Sequence, residues 1–139
     1  MSTADDRLAP GYQPDFDIDL AVGRTGELFV ARIIDSLKDG TAEVKTDQLA
    51  ARTGNVYLEY ECLYRSGWQP SGLATTKAGV WVMVAGNVAI AAPTSSVQEV
   101  ARRHWRSGAV KMNRGSHPTH GIKVPVGKYV WDLIQTTTS

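Results

Sequence analysis

Residues 41–64 read TAEVKTDQLAARTGNVYLEYECLY, and the fold turns on how this stretch is read. It holds two alternating runs, Thr41 to Asp47 and Asn55 to Tyr64, separated by a polar loop ending in Thr53-Gly54-Asn55. Alternation bounded by a turn predicts two strands, the second returning antiparallel beside the first. Side chains alternate across a strand, so Glu43, Lys45 and Asp47 share one face of the first run, and Glu59 and Glu61 share one face of the second. The opposite faces carry Ala42, Val44 and Thr46, then Val56, Leu58, Tyr60 and Cys62. One side is apolar; the other gathers four carboxylates and one lysine. Like charges on neighbouring strands repel, so such a face requires full solvation or a cation.

Upstream, from Thr25 or Gly26 to about Lys38, Leu28, Phe29, Val30, Ile33, Ile34 and Leu37 recur at three- and four-residue steps, which predicts an amphipathic helix ended by Asp39-Gly40. Glu27 falls on the flank of its apolar face, where it either complements the dipole of the helix N-terminus or points toward the acidic strand face. Residues 1–20 contain five Asp and two Pro without helical periodicity and read as a flexible acidic leader, leaving residues 21–139 as a single domain. Downstream, Arg65 to Gly72 reads as a loop, Val80 to Val84 as a buried third strand, and Gly86-Asn87 as a turn returning Val88 to Ala92 as a fourth strand. Thr94 or Ser95 is placed to cap a helix reaching about Arg106. A Gly/Pro-interrupted basic segment follows, then a short strand or helix around Tyr129 to Ile134.

At 139 residues, 42% hydrophobic and 21% charged, the chain fits one globular domain. The lone Cys62 excludes an internal disulfide and reads as a buried reduced thiol, which suits a reducing cytoplasm. No segment approaches the roughly 18 apolar residues of a membrane span, and the N-terminus does not resemble a signal peptide. The expectation is a protein of the cytoplasm that does not engage membranes. A net charge of +1 conceals an asymmetry: residues 1–61 hold 12 acids and 6 bases, a net −6, and residues 62–139 hold 2 acids and 9 bases, a net +7. That split suits cation binding in one region and a polyanion in another, or else clustering on a solvated surface. His117 and His120 have metal-like spacing but lack Cys partners, so a surface or phosphate-facing role is favoured over zinc. The absence of a phosphate-cradling Gly-rich loop disfavours NTP hydrolysis.

Carboxylates from a helix and two strands, with a lysine among them, suit divalent-metal hydrolysis of a phosphodiester. Through GELFVARII, EVKTD, TGNVYLEYE and SGLATTKAGVWV, between about Gly26 and Val84, the chain resembles the PD-(D/E)XK nuclease superfamily, most closely its phage-type members akin to Holliday-junction resolvases. The resemblance implies an α/β fold with a restriction-endonuclease-like core, a mixed sheet flanked by helices. It implies Mg²⁺ or Mn²⁺ as cofactor, DNA as partner, branched DNA as one substrate form, and a homodimer in the cytosol of a bacterium or a phage-infected host. Carried over position by position, Glu27 matches the helix acid, Asp47 the strand Asp, and Glu59 the Glu of Glu-x-Lys. Glu61 departs from the pattern, standing where the family usually has its lysine. Lys45 then reads as a migrated lysine, with Lys77 the next candidate and Glu43-Val44-Lys45 the literal alternative. On this reading Glu27, Asp47, Glu59 and Glu61 hold metal and Lys45 assists at the phosphate. Arg102, Arg103, Arg106, Lys111, Arg114 and Lys123 meet the DNA backbone. The rival expectations are a catalytically inactive nucleic-acid- or protein-binding module of the same fold, which the departure at Glu61 would mark, and a structural or host-interaction protein whose acidic face is simply wet.

Overall fold

A computed structural model describes residues 14–114 and 117–136, with side chains from residue 20 onward except at positions 111, 113 and 114. The leader expected over residues 1–20 therefore lies mostly outside the described residues, and helix α1, Pro14–Lys38, begins within it. Two compact units are present, Met1–Asp35 and Ser36–Ser139. In the first, the described residues are those of α1, whose apolar side chains recur at the predicted spacing. Leu28 is 64% exposed, and Phe29, Val30 and Ile34 are exposed as well. α1 stops as predicted: Gly40 takes φ 70°, the Thr41 N–H donates to Ser36 O, and the Gly40 N–H donates to Leu37 O. This pairing of the last carbonyls is a Schellman cap, which needs a residue free to enter the left-handed region.

The second unit is a mixed α/β structure with two sheets. β1 (Ala42–Thr46), β4 (Val80–Ala85) and β5 (Val88–Pro93) form a three-stranded sheet in the order β1-β4-β5, with β1 parallel to β4. β2 (Asn55–Tyr64), β3 (Gly67–Pro70), β6 (Ala109–Arg114) and β7 (His117–Pro125) form an antiparallel sheet in the order β3-β2-β7-β6. The hairpin of β4 and β5 forms as read, with Gly86 at φ 60° in its turn. The expectation that β1 and β2 pair is overturned: they belong to different sheets, separated by the short helix α2 (Ala50–Thr53). β1 finds its partner 38 positions on, at the Ala42↔Val80 register, and β2 finds its own in β3 and β7. The stretches read as loop at Arg65–Gly72 and as irregular at 109–125 contain β3 and the β6–β7 hairpin.

Helices α3 (Thr94–Gly108) and α4 (Val126–Gln135) complete the unit. Each starts directly after a proline, and neither has a side-chain N-cap bond, so Thr94 begins α3 without capping it. Val97 and Val100 of α3 and Tyr129 and Leu133 of α4 join Val56 and Leu58 of β2, Ile122 and Val124 of β7, and Trp81 and Met83 of β4 in one core. Cys62 is a buried free thiol. His104 of α3 and Asp132 of α4 meet at 2.6 Å, tying the two helices with a polar link that spacing alone did not indicate.

Tyr129 is fully buried, and its hydroxyl has no hydrogen-bond partner among the described residues; burial pushes this phenol well above its ordinary range, so it stays neutral. An unpaired buried hydroxyl costs desolvation without return. Tyr129→Phe is therefore expected to leave the free energy of urea unfolding unchanged or raise it by up to about 1 kcal/mol. A clear loss of stability would mean that the hydroxyl has a partner.

Candidate functional site

Asp47 is the joint between the two sheets. β1 ends as the Asp47 N–H donates to Val84 O, and the side chain, 4% exposed, then spans the gap. Its Oδ1 accepts the Leu49 and Ala50 N–H groups, each at 3.0 Å, which secures the start of α2. Its Oδ2 accepts the Tyr57 N–H at 3.0 Å, which anchors β2. A carboxylate has acceptor capacity for several donors at once, and no neutral side chain of this size matches it.

Around this joint lies a cavity of about 110 Å³ lined by Lys45, Asp47, Tyr57, Glu59, Trp81 and Met83, among others. Its composition follows from strand register. Glu43 stands opposite Trp81 and Lys45 opposite Met83, so these four side chains share one face of the first sheet. The Lys45 ammonium lies 2.6 Å from Glu43 Oε1 and 5.7 Å from the Trp81 ring centroid. Partial burial pushes the Glu43 carboxyl up, but hydrogen bonds from Lys45 and Thr76 and the lysine charge outweigh it, holding the group below its ordinary range. A lowered carboxyl contributes stability that is present above its unfolded value and lost as pH falls through the folded one. For a half-exposed pair this amounts to about 1 kcal/mol at most.

Glu59 enters the same cavity from the second sheet, so the structure brings Lys45, Asp47 and Glu59 together although β1 and β2 do not pair. Glu59 Oε2 accepts the Ser71 hydroxyl at 2.7 Å, and Oε1 makes no hydrogen bond among the described residues. The turn carrying Ser71 is pressed against β2: a Cβ on Gly72, which has φ 53°, would lie 2.6 Å from Glu59 O. Gly72→Ala therefore combines a left-handed backbone with a clash against main chain, and a loss of more than about 1 kcal/mol is expected in thermal or urea unfolding. An unchanged midpoint would show that this turn is free to move away from Glu59.

Glu61 is elsewhere. Register shifts between Glu59 and Glu61: Glu59 stands opposite Gly121 and Glu61 opposite His120, so Tyr60 is an extra residue on β2. Gly121 and His120 point to opposite faces of the regular strand β7, so the bulge turns Glu61 away from Glu59. The expectation that the two glutamates share a face fails for this reason. Glu61 Oε1 instead meets His120 Nδ1 at 2.6 Å, and the His120 ring stacks on Trp68 at 3.9 Å between centroids. Gly121 leaves room on the other face for the Tyr57 ring, whose hydroxyl lies 2.9 Å from Thr119 Oγ1. His117 Nδ1 lies 3.1 Å from Leu63 O.

Glu27 is exposed on α1, and because that helix begins at Pro14, it lies well inside the helix and not at the N-terminus where a dipole role would apply. Lys77 is exposed between the 3-10 turn Gly72–Ala74 and β4, and it does not line the cavity. On α3, Arg102 and Arg103 both pair with Glu99, at 3.1 and 3.5 Å, so two of the three arginines expected to face phosphates already hold a carboxylate. Arg106 has no ion pair among the described residues. Lys123, exposed on β7, projects from the Tyr57 side of the sheet and not from the α3 side. Lys111 and Arg114 belong to β6, and their side chains lie outside the described residues. No group of three or more His, Cys, Asp or Glu placed to cage a metal occurs among the described residues, and no described helix is long and apolar enough to cross a membrane. No protein-family model, curated protein or solved structure matches this chain.

Proposed function

We propose that the chain is a metal-dependent DNA endonuclease with a restriction-endonuclease-like core, of the PD-(D/E)XK kind, working at the cavity between β1 and β2. The observation that carries this reading is that Lys45, Asp47 and Glu59, from two different sheets, line one small cavity walled by Trp81 and Met83. The donor set fits a hard divalent cation. Mg²⁺ keeps several waters and needs only one or two carboxylates beside the substrate phosphate. Glu59 would hold the ion through Oε1, with Asp47 beside it, and Glu61 and Glu27 are not needed. Bound there, Mg²⁺ or Mn²⁺ supplies Lewis acidity and a water of lowered pKa.

This chain's own residues do the rest. The buried Asp47 fixes where β1 ends and β2 begins, and so the spacing of Lys45 and Glu59. Ser71 orients Glu59 through Oε2. Lys45 is half-exposed and, among the described residues, pairs with Glu43, so its ammonium is positioned to move from that carboxylate to a phosphate and offset the charge that builds there. Water adds to phosphorus, one ester P–O bond breaks, and the departing oxygen takes up a proton. Arg102, Arg103 and Arg106 supply sequence-independent attraction for the backbone.

Incubating the protein with supercoiled, linear and four-way-branched DNA tests the reading. Cleavage is expected with Mg²⁺ or Mn²⁺ and none in chelator. Full activity in chelator would refute the metal mechanism. The rival reading, a non-catalytic nucleic-acid-binding module, draws on one observation, that Asp47 is engaged by three backbone N–H groups as a structural acceptor. DNA binding with no cleavage of any substrate, and no Mg²⁺ or Mn²⁺ heat in calorimetry, would favour it.

A further inference from the structure

On the α3 side of the second sheet lies a larger cavity, about 650 Å³, with an apolar floor of Leu58, Leu73 and Ile122 and a rim carrying Arg102, Arg103 and Arg106. Its volume falls within the range of about 300–1,000 Å³ typical of small-ligand sites. No carboxylate among the described residues lines it. Trp105 stands at its edge, 49% exposed, with its ring 4.3 Å from that of Tyr60 between centroids. From there the aromatic surface continues: Tyr60 lies 6.2 Å from His120, and His120 stacks on Trp68 at 3.9 Å and 12°. The bulge at Tyr60 builds this row, because it turns Glu61 to the same side, where the carboxylate steadies His120.

We infer that this surface is a site for unpaired nucleotides of DNA, with a base stacked on Trp105 over the apolar floor and its flanking phosphates held by Arg106 and its neighbours. A large exposed aromatic face beside cations matches the two recurring parts of single-strand binding, a stacking platform and an electrostatic track. Duplex DNA can use the arginines, but its bases are stacked on one another and offer no free face to Trp105. The charge argues for an anion: Arg102 and Arg103 share Glu99, so the three guanidiniums and one carboxylate leave a local excess of positive charge. The inference deepens the nuclease reading by naming the form of DNA held, and it rests on that reading only for DNA being the partner.

The test compares two strands of equal length and charge, an oligothymidylate and its abasic counterpart, by fluorescence anisotropy with the full chain in chelator. Oligothymidylate is expected to bind more tightly, by about fivefold to 150-fold if one base stacks. Trp105→Ala should bring oligothymidylate down to the abasic level and leave abasic binding unchanged, Trp105→Phe should restore part of the gap, and Arg106→Ala should weaken both strands. Equal affinity for the two strands in the unaltered protein would overturn the inference, as would a loss in Trp105→Ala that is the same for both. An acidic peptide of matched charge binding as tightly as oligothymidylate would also overturn it, in favour of a protein partner. Cleavage in Mg²⁺ without base-dependent binding would sink this inference alone, whereas base-dependent binding without cleavage would sink the nuclease reading alone.

Discussion

Asp47→Ala should unfold this protein at much lower denaturant than any other single change at the candidate site. The substitution leaves the N–H groups of Leu49 and Tyr57 without their acceptor, and the Ala50 N–H with the longer bond to the Asp47 main-chain carbonyl at 3.3 Å, around a side chain that is almost fully buried. Each buried donor left unsatisfied costs about 1–3 kcal/mol, so a loss of about 2 kcal/mol or more is expected from urea unfolding. Water entering the vacated space would soften this, which is why the lower end is the figure to test. Asp47→Asn is not a neutral control. One amide oxygen still accepts, but the NH₂ must face an N–H, so this variant too should lose about 1–3 kcal/mol. A change below about 1 kcal/mol in Asp47→Ala would show that the carboxylate does not join the sheets. Lost cleavage in either Asp47 variant therefore says little about metal binding unless stability is measured alongside.

Glu59→Gln and Lys45→Ala are the cleaner tests of chemistry. Gln keeps an oxygen for the Ser71 hydroxyl while removing the charge that a divalent cation needs, so the fold should persist. Lys45 is half-exposed and pairs at the surface with Glu43, so its truncation should cost less than about 1 kcal/mol. Single-turnover cleavage should nonetheless fall about 10²–10³-fold in Lys45→Ala, the size of effect seen when one stabiliser of transition-state charge is removed. It should fall at least as far in Glu59→Gln. Binding of DNA in chelator should stay near the unaltered level in both. Cleavage unchanged in Glu59→Gln would remove the cavity from the mechanism, and unchanged cleavage in Lys45→Ala alone would leave Lys77 as the lysine to examine next.

Much of the framework was legible along the chain because it rests on local rules. The Asp39-Gly40 stop, the hairpin turn at Gly86-Asn87, the apolar run of β4 and the Val97/Val100 face of α3 depend on residues a few positions apart, where backbone freedom and side-chain period act directly. The grouping of Lys45, Asp47 and Glu59 was also legible, but for a reason that does not hold. Strand pairing of β1 with β2 was expected to bring them together, and in fact the side chain of Asp47 does so by reaching from the end of one sheet to the Tyr57 N–H of the other.

What the sequence by itself determined was which side chains alternate on each strand, where the chain turns, and that acids dominate its first part and bases its second. Only the tertiary structure decided partners. β1 lies against β4, 38 residues later, because parallel strands need a long crossover and nothing local encodes its destination. A single extra residue at Tyr60 moved Glu61 from the Glu59 face to His120, a change no period-of-two reading can detect, since a bulge shows only against the strand beside it. The arginines of α3 were visible as charge. That they rim an apolar cavity beside Trp105 required β2 and β7, far apart along the chain, to supply its floor.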